Sequence, residues 1–161
     1  MDSVTQEILS STFIETMEKT AFIFSDPLDK SDFEIVNKKY VSAVISFFGK
    51  YRGAIVIAAP EQTSSIIAAN MLGLEPEEEE SEKKAIDAFT ETVNILCGQF
   101  LTNAFGQEET FLLSTPVAGV CSVEKVKEME QGEDAICFSV EGEPFIVSAV
   151  VAEEGKKVVA L

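Results

Sequence analysis

The sequence predicts an α+β fold: two long helices and a short one packed on a mostly antiparallel sheet of about six strands, in one domain spanning residues 1–161. Three observations predict it. Residues 4–23 and 81–105 carry apolar side chains at helical spacing. Each stretch is followed further on by two strand-like segments with a turn between them, at 40–59 and 135–152. Finally, Phe22-Ile-Phe-Ser-Asp-Pro27 is echoed by Phe111-Leu-Leu-Ser-Thr-Pro116, so the chain reads as a duplicated α-β-β unit with pseudo-twofold symmetry.

Taken in order, Ile8, Leu9, Phe13, Met17 and Ala21 share one face of the first helix, and Asp26-Pro27 is expected to stop it. Residues 28–38 are mostly polar and read as a loop. In Tyr40 to Phe48, alternation puts Val41, Ala43, Ile45 and Phe47 on one side of a strand. Gly49 to Gly53 makes the turn. Ala54 to Ala59 is apolar on both faces, which suits a central strand. Pro60-Glu61-Gln62 opens a short helix through Ser64, Ile66, Ile67 and Met71, closed by Gly73. The acidic run of Glu75, Glu77 to Glu80 and Glu82 reads as a solvated linker.

The second long helix, 81–105, takes Ser81 as N-cap, Glu82 in its first turn and Gly106 as its stop. Short extended pieces follow at Phe111 to Ser114 and Gly119 to Val123. Lys125 to Glu133 is polar and reads as an excursion or turn. Ala135 to Val140 and Pro144 to Ala152 form a hairpin around Glu141-Gly142-Glu143. Lys157 to Leu161 is expected to add an edge strand.

Composition narrows the chemistry. Twelve Lys and Arg stand against 28 Asp and Glu, a formal charge of −16. That surface repels nucleic acid and anionic membrane, both of which are bound through cationic side chains. A partner should bring positive charge or a metal ion to the contact. No apolar run approaches the roughly 18 residues that span a bilayer. The start, Met1-Asp2-Ser3-Val4, lacks a basic n-region, so a cytoplasmic setting without signal peptide is expected. Cys97, Cys121 and Cys137 are widely spaced in apolar surroundings and read as reduced core residues. There is no histidine. That removes Ser–His and Cys–His nucleophiles, histidine zinc sites and imidazole acid–base catalysis. Chemistry is left to carboxylates, amides, hydroxyls or a borrowed metal.

On a helical wheel with Asp87 at zero, Glu91 falls at about 40°, Asn94 at about 340° and Gly98 at about 20°. Ile86, Phe89, Val93, Leu96, Phe100 and Ala104 cluster between about 180° and 260°. The polar stripe therefore points away from the core. Glu91 and Asn94 are i,i+3 neighbours whose heads lie close together. A carboxylate there can pair with a partner's cation, and an amide can hold a water in fixed orientation. Gly98 removes a side chain one turn on, although glycine costs a helix up to about 1 kcal/mol relative to alanine. Taken alone, an outward Glu and Asn are also what a merely solubilising helix face carries. The spaced pattern is more specific: Asp-x3-Glu-x2-Asn, then Gly98 and, beyond the helix, Pro116.

This pattern resembles the CheC/CheX/FliY phosphatases of bacterial chemotaxis, most closely CheX. Their signature is Asp or Ser, three residues, Glu, two residues, Asn, and a proline further on. Pro116 stands one residue short of the family's spacing, as a one-residue deletion near Gly106–Glu109 would produce. The stretch Gly53 to Gly73 also resembles CheX, and the family's internal duplication agrees with the repeat. The resemblance implies a phosphatase for the aspartyl phosphate of a CheY-like receiver domain in two-component signalling. Glu91 would pair with the receiver's lysine and Asn94 would orient the attacking water. Asp87, Gly98 and Pro116 would support the contact. The chain itself would bind no cofactor, and Mg²⁺ would sit on the receiver. A homodimer is also implied. In the first repeat, Ser11, Glu15 and Glu18 hold the motif spacing, but Glu18 replaces the amide, so this half is expected to be inactive. The alternative is a non-catalytic module that binds a response regulator, or acts as an adaptor, through the same helix.

Overall fold

The computed structural model describes residues 1–75 and 78–155. Its first helix, α1 (Ser3–Ala21), starts where the Asp2 carboxylate accepts a hydrogen bond from the Thr5 amide at 2.8 Å. It ends at Phe22, which takes the left-handed conformation with φ 55°. The expected stop at Asp26-Pro27 is thus corrected. Those residues belong instead to an edge strand, β1 (Ser25–Leu28), paired to one neighbour only. An edge tolerates proline because one side of the strand needs no N–H donor. The polar loop that follows contains one 3₁₀ turn, Lys30–Asp32.

β2 (Tyr40–Phe48) and β3 (Tyr51–Pro60) pair as an antiparallel hairpin. The turn is shorter than expected, since Tyr51 to Gly53 already lie in β3. The short helix α2 (Glu61–Leu72) closes at Gly73, whose φ of 68° suits glycine. The long helix α3 (Glu79–Phe105) starts earlier than the sequence suggested. Glu78 occupies the cap position and Ser81 lies inside the helix, so the Ser81 cap is corrected. β4 (Leu112–Leu113) and β5 (Val117–Cys121) follow.

Residues 125–133 are the second correction: most of the segment belongs to a helix, α4 (Val123–Gln131), capped by Ser122 Oγ, which accepts from the Lys125 amide. β6 (Ala135–Val140) and β7 (Glu143–Glu153) complete the sheet. They are joined by Glu141 and Gly142, both at positive φ, as a two-residue hairpin turn requires. The edge strand expected at Lys157 to Leu161 lies outside the described residues.

All strand pairs are antiparallel, in the order β1-β6-β7-β3-β2-β4, with β5 also on β2. The two hairpins meet where β3 pairs with β7, and β3 is central, as its apolar faces predicted. β1 is the strand beyond the expected six. The duplication is visible here: each half supplies a long helix and a hairpin, with one flanking strand, β1, from the first half and two, β4 and β5, from the second. These flanking strands pair with the hairpin of the other half.

α1, α2 and α3 cover one face of the sheet. The main core lies beneath them, with Phe13 against Phe138 and Phe145 at 4.5 and 4.8 Å between ring centres, and Phe89 against Phe145 at 5.6 Å. Each such side chain contributes about 1.5–3 kcal/mol through burial. α4 covers part of the opposite face. There Val126 packs with Phe33, Tyr40, Ala135, Cys137 and Ile146 in a second, smaller core.

Candidate active site

α3 is held on three sides. Phe89, Val93, Leu96 and Phe100 are fully buried against the sheet. Asn103 Nδ2 donates to Thr12 Oγ1 of α1 at 3.0 Å. At its C-terminal end Phe105 stacks on Tyr51, with ring centres 4.2 Å apart, and Phe111 packs against Phe105. Cys97 and Ala88 are also buried, so the inward face is broader than the six apolar residues of the wheel suggested.

What remains outside is the predicted ridge. Asp87 and Glu91 are exposed, and Asn94 and Gly98 are half-exposed. Asp87 makes a long ion pair with Lys84, 3.9 Å, one turn back. Among the described residues, neither the Glu91 carboxylate nor the Asn94 amide has a hydrogen bond or ion pair to any other group. A Cβ built on Gly98 would meet nothing within 4 Å. The glycine therefore answers no steric demand of this chain.

Four of the five predicted residues are brought together on that ridge. Pro116 is elsewhere: it is half-buried in the link between β4 and β5, the two short strands on β2. The link is pinned just upstream, where Ser114 N donates to Ser46 O and Ser46 N donates to Ser114 Oγ, both at 2.9 Å. Proline there fixes φ in a short span between two sheet contacts.

The first repeat carries the same ridge in outline. With Ser11 laid on Asp87, every buried residue of α1 falls on a buried residue of α3. Leu9 meets Ala85, Thr12 meets Ala88, Phe13 meets Phe89, Thr16 meets Thr92, Met17 meets Val93 and Ala21 meets Cys97. Ser11, Glu15 and Glu18 are exposed, like Asp87 and Glu91. Two differences separate the ridges. Glu18 stands in the place of Asn94, and Phe22 stands in the place of Gly98. α1 ends there and projects a 76 % exposed ring where α3 runs on with bare backbone.

The cysteines fall into two groups. Burial pushes the Cys97 thiol up to about 12 and the Cys137 thiol up to about 11, which keeps both protonated and inert. Cys121 is only half-buried, so the expectation of three core cysteines holds for two. Sequence reasoning missed the hollow at the C-terminal end of the ridge, where Thr102, Gln107 and Leu113 gather beside Gly98. The exposed Leu112-Leu113 pair in the strand after α3 was its one available signal.

Among the described residues no helix is long and apolar enough to cross a membrane. No group of three or more Cys, Asp or Glu side chains among them could hold a metal ion.

Matched helices on one face of an interleaved antiparallel sheet make this an α+β protein of the CheC/CheX kind. A family model described as chemotaxis phosphatase CheX matches residues 41–141, and the chain belongs to that family. Its fold is similar to CheX of Vibrio vulnificus, 19 % identical with a TM-score of 0.69 over 93 % of this chain and 100 % of that one. It is also similar to CheX of Desulfovibrio desulfuricans, 20 % identical with a TM-score of 0.67 over 92 % and 99 %. CheX of Borrelia burgdorferi, solved as a CheX–CheY–BeF3–Mg²⁺ complex, is 19 % identical with a TM-score of 0.64 over 91 % and 97 %. No curated protein matches the chain by sequence.

Proposed function

We propose that this chain hydrolyses the aspartyl phosphate of a CheY-like receiver domain. One observation carries the reading: Glu91 and Asn94, one helical turn apart, share the outward ridge of α3 with no partner among the described residues, next to bare backbone at Gly98. The receiver brings the phosphoryl group, its own lysine and Mg²⁺, and the metal neutralises charge on the phosphoryl oxygens. Glu91 pairs with the lysine and fixes the register of docking. The Asn94 amide holds a water in line with the phosphorus. The water oxygen bonds to phosphorus, the bond to the aspartyl oxygen breaks, and inorganic phosphate leaves with the carboxylate restored. Positioning and charge neutralisation suffice for this step, which suits a chain without histidine. The Borrelia burgdorferi relative, solved with CheY, supports a CheY-like partner. The strongly acidic surface suits a target whose cations surround the phosphoryl group. In the α1 half, Glu18 presents charge instead of an amide and Phe22 blocks close approach, so that half does not turn over.

The test is phosphate release from phosphorylated receivers in Mg²⁺, with Asn94→Ala and Glu91→Ala beside the wild type. Asn94→Ala should lower kcat by about 10²-fold or more, on the scale of a lost positioning group. Glu91→Ala should act mainly on KM. Tight binding without acceleration by the wild type would instead favour the non-catalytic module. Acceleration that survives both substitutions would mean that the chemistry lies elsewhere. Light scattering on the same samples reads the homodimer that the resemblance implies.

A further inference from the structure

At the C-terminal end of the ridge, one turn past Asn94, the surface drops into a hollow of about 190 Å³ lined by Gly98, Leu101, Thr102, Gly106, Phe111 and Leu113. Its floor is apolar, and Thr102, Gln107 and Glu109 add polar atoms to its walls. Leu101 is almost wholly buried, and Phe111 packs on Phe47 and Phe105. Its rim is polar: Glu109, which also lines it, is tied to Lys50 at 3.3 Å. The missing side chain at Gly98 leaves the hollow open towards Asn94. The volume equals about six waters' share of the liquid, which is room for one large apolar side chain.

Leu113 forms the outer wall and is 40 % exposed. Its strand neighbour Leu112 is 74 % exposed but faces the other way. Leu113 stands opposite Phe47 on the helix side of the sheet, and Leu112 opposite Phe48 on the far side.

We propose that this hollow is the specificity pocket for the receiver and takes a single apolar side chain from it, flanked by basic residues. The inference rests on the phosphatase reading above. Two features favour the receiver over a second copy of this chain. The hollow is continuous with the ridge through Gly98, so a body docked on Glu91, Asn94 and Gly98 reaches its mouth. The surroundings are acidic beyond the Lys50–Glu109 pair, with Glu108 next in the loop and Glu91 along the ridge, on a chain of net charge −16. A second identical surface would be repelled, whereas a basic-flanked partner is steered in.

The experiment uses the full chain and a phosphorylated receiver that the wild type dephosphorylates. Leu113→Ser removes the wall. Thr102→Trp fills the hollow from an exposed helical position. Leu112→Ser is the matched control on the far face of the same strand. Urea melts check that each variant is folded. The pocket predicts a rise in KM of about ten- to a hundredfold for Leu113→Ser and Thr102→Trp, the range expected for one buried apolar anchor, with kcat held and Leu112→Ser unchanged. The proposal is overturned if both pocket variants keep the wild-type KM. Equal effects of Leu112→Ser and Leu113→Ser overturn it too, since they would report general damage to the edge. So does a Leu113→Ser variant that alters self-association in light scattering while KM stays fixed, which would make a second copy the occupant. Should the wild type accelerate no receiver, the phosphatase reading itself fails and the pocket falls with it.

Discussion

Gly98→Ala is expected to make the protein more stable and less active at once. A new Cβ at this position meets no atom within 4 Å, so the folded chain accepts it without strain. The unfolded chain loses the extra freedom of glycine, and the helix interior gains about 0.5–1 kcal/mol. For a chain of this size 1 kcal/mol corresponds to about 2–4 °C in Tm, so a rise of roughly 1–4 °C should appear in thermal or urea melts. On the docking side the same methyl group occupies the space through which a partner backbone approaches Asn94. Displacement of the reacting groups by about 1 Å costs on the order of 10²-fold in rate. A fall of at least tenfold in kcat/KM for a phosphorylated receiver is therefore expected, measured on the same preparation as the melts. A more stable variant with unchanged kcat/KM would refute the argument that the glycine serves a partner. A less stable variant would refute the argument that the space above it is open.

The glycine in the central strand should behave in the opposite way. A Cβ at Gly53 would overlap the Val150 carbonyl oxygen and meet the Phe47 ring at 2.8 Å, so Gly53→Ala should cost roughly 3 kcal/mol and lower the urea midpoint sharply; a midpoint within error of the wild type would show that β3 and β7 can separate at no cost. Alkaline pH gives a further check. Burial raises the Cys97 thiol to about 12 in the folded chain, whereas an ordinary thiol titrates near 9.0. The unfolded state therefore loses its proton first. The contribution is complete below pH 9 and is lost as pH rises towards 12, amounting to roughly 2 kcal/mol by pH 10.5. Cys97→Ala should flatten the decline in urea midpoint between pH 8 and 10.5, and parallel declines in both proteins would contradict the assignment. Thiol labelling of the native protein should find Cys121 alone, with Cys97 and Cys137 reacting only on unfolding.

Much of this architecture was legible in the chain. Tyr40 to Phe48 alternates so regularly that the strand bounds agree residue for residue. Gly73 and Gly106 mark helix ends because glycine accepts the positive φ values found there. The ridge was legible because it needs only the helical period. The misses have separate causes. β1 was hidden because its four residues include Pro27 and become a strand only through pairing with β6, a contact remote in sequence. α4 was hidden because its nine mostly polar residues read as a turn by composition, although Val123, Val126 and Met129 recur at helical spacing. Its Ser122 cap was a second clue. The α3 start was misplaced because a run of glutamates supports helix at many positions and fixes none of them. The hollow could not be read at all, since it is assembled from the end of α3, the following loop and β4.

The exchange of edge strands described above has a further meaning. β1 completes the hairpin of the second half, and β5 completes that of the first. Cutting the chain between α2 and α3 would strip each fragment of a strand it borrows and open a raw hydrogen-bonding edge on both. The duplicated unit is thus a clasp rather than two beads on a string. The half that carries Glu18 and Phe22 cannot be discarded, because its strand braces the half that carries Asn94 and Gly98.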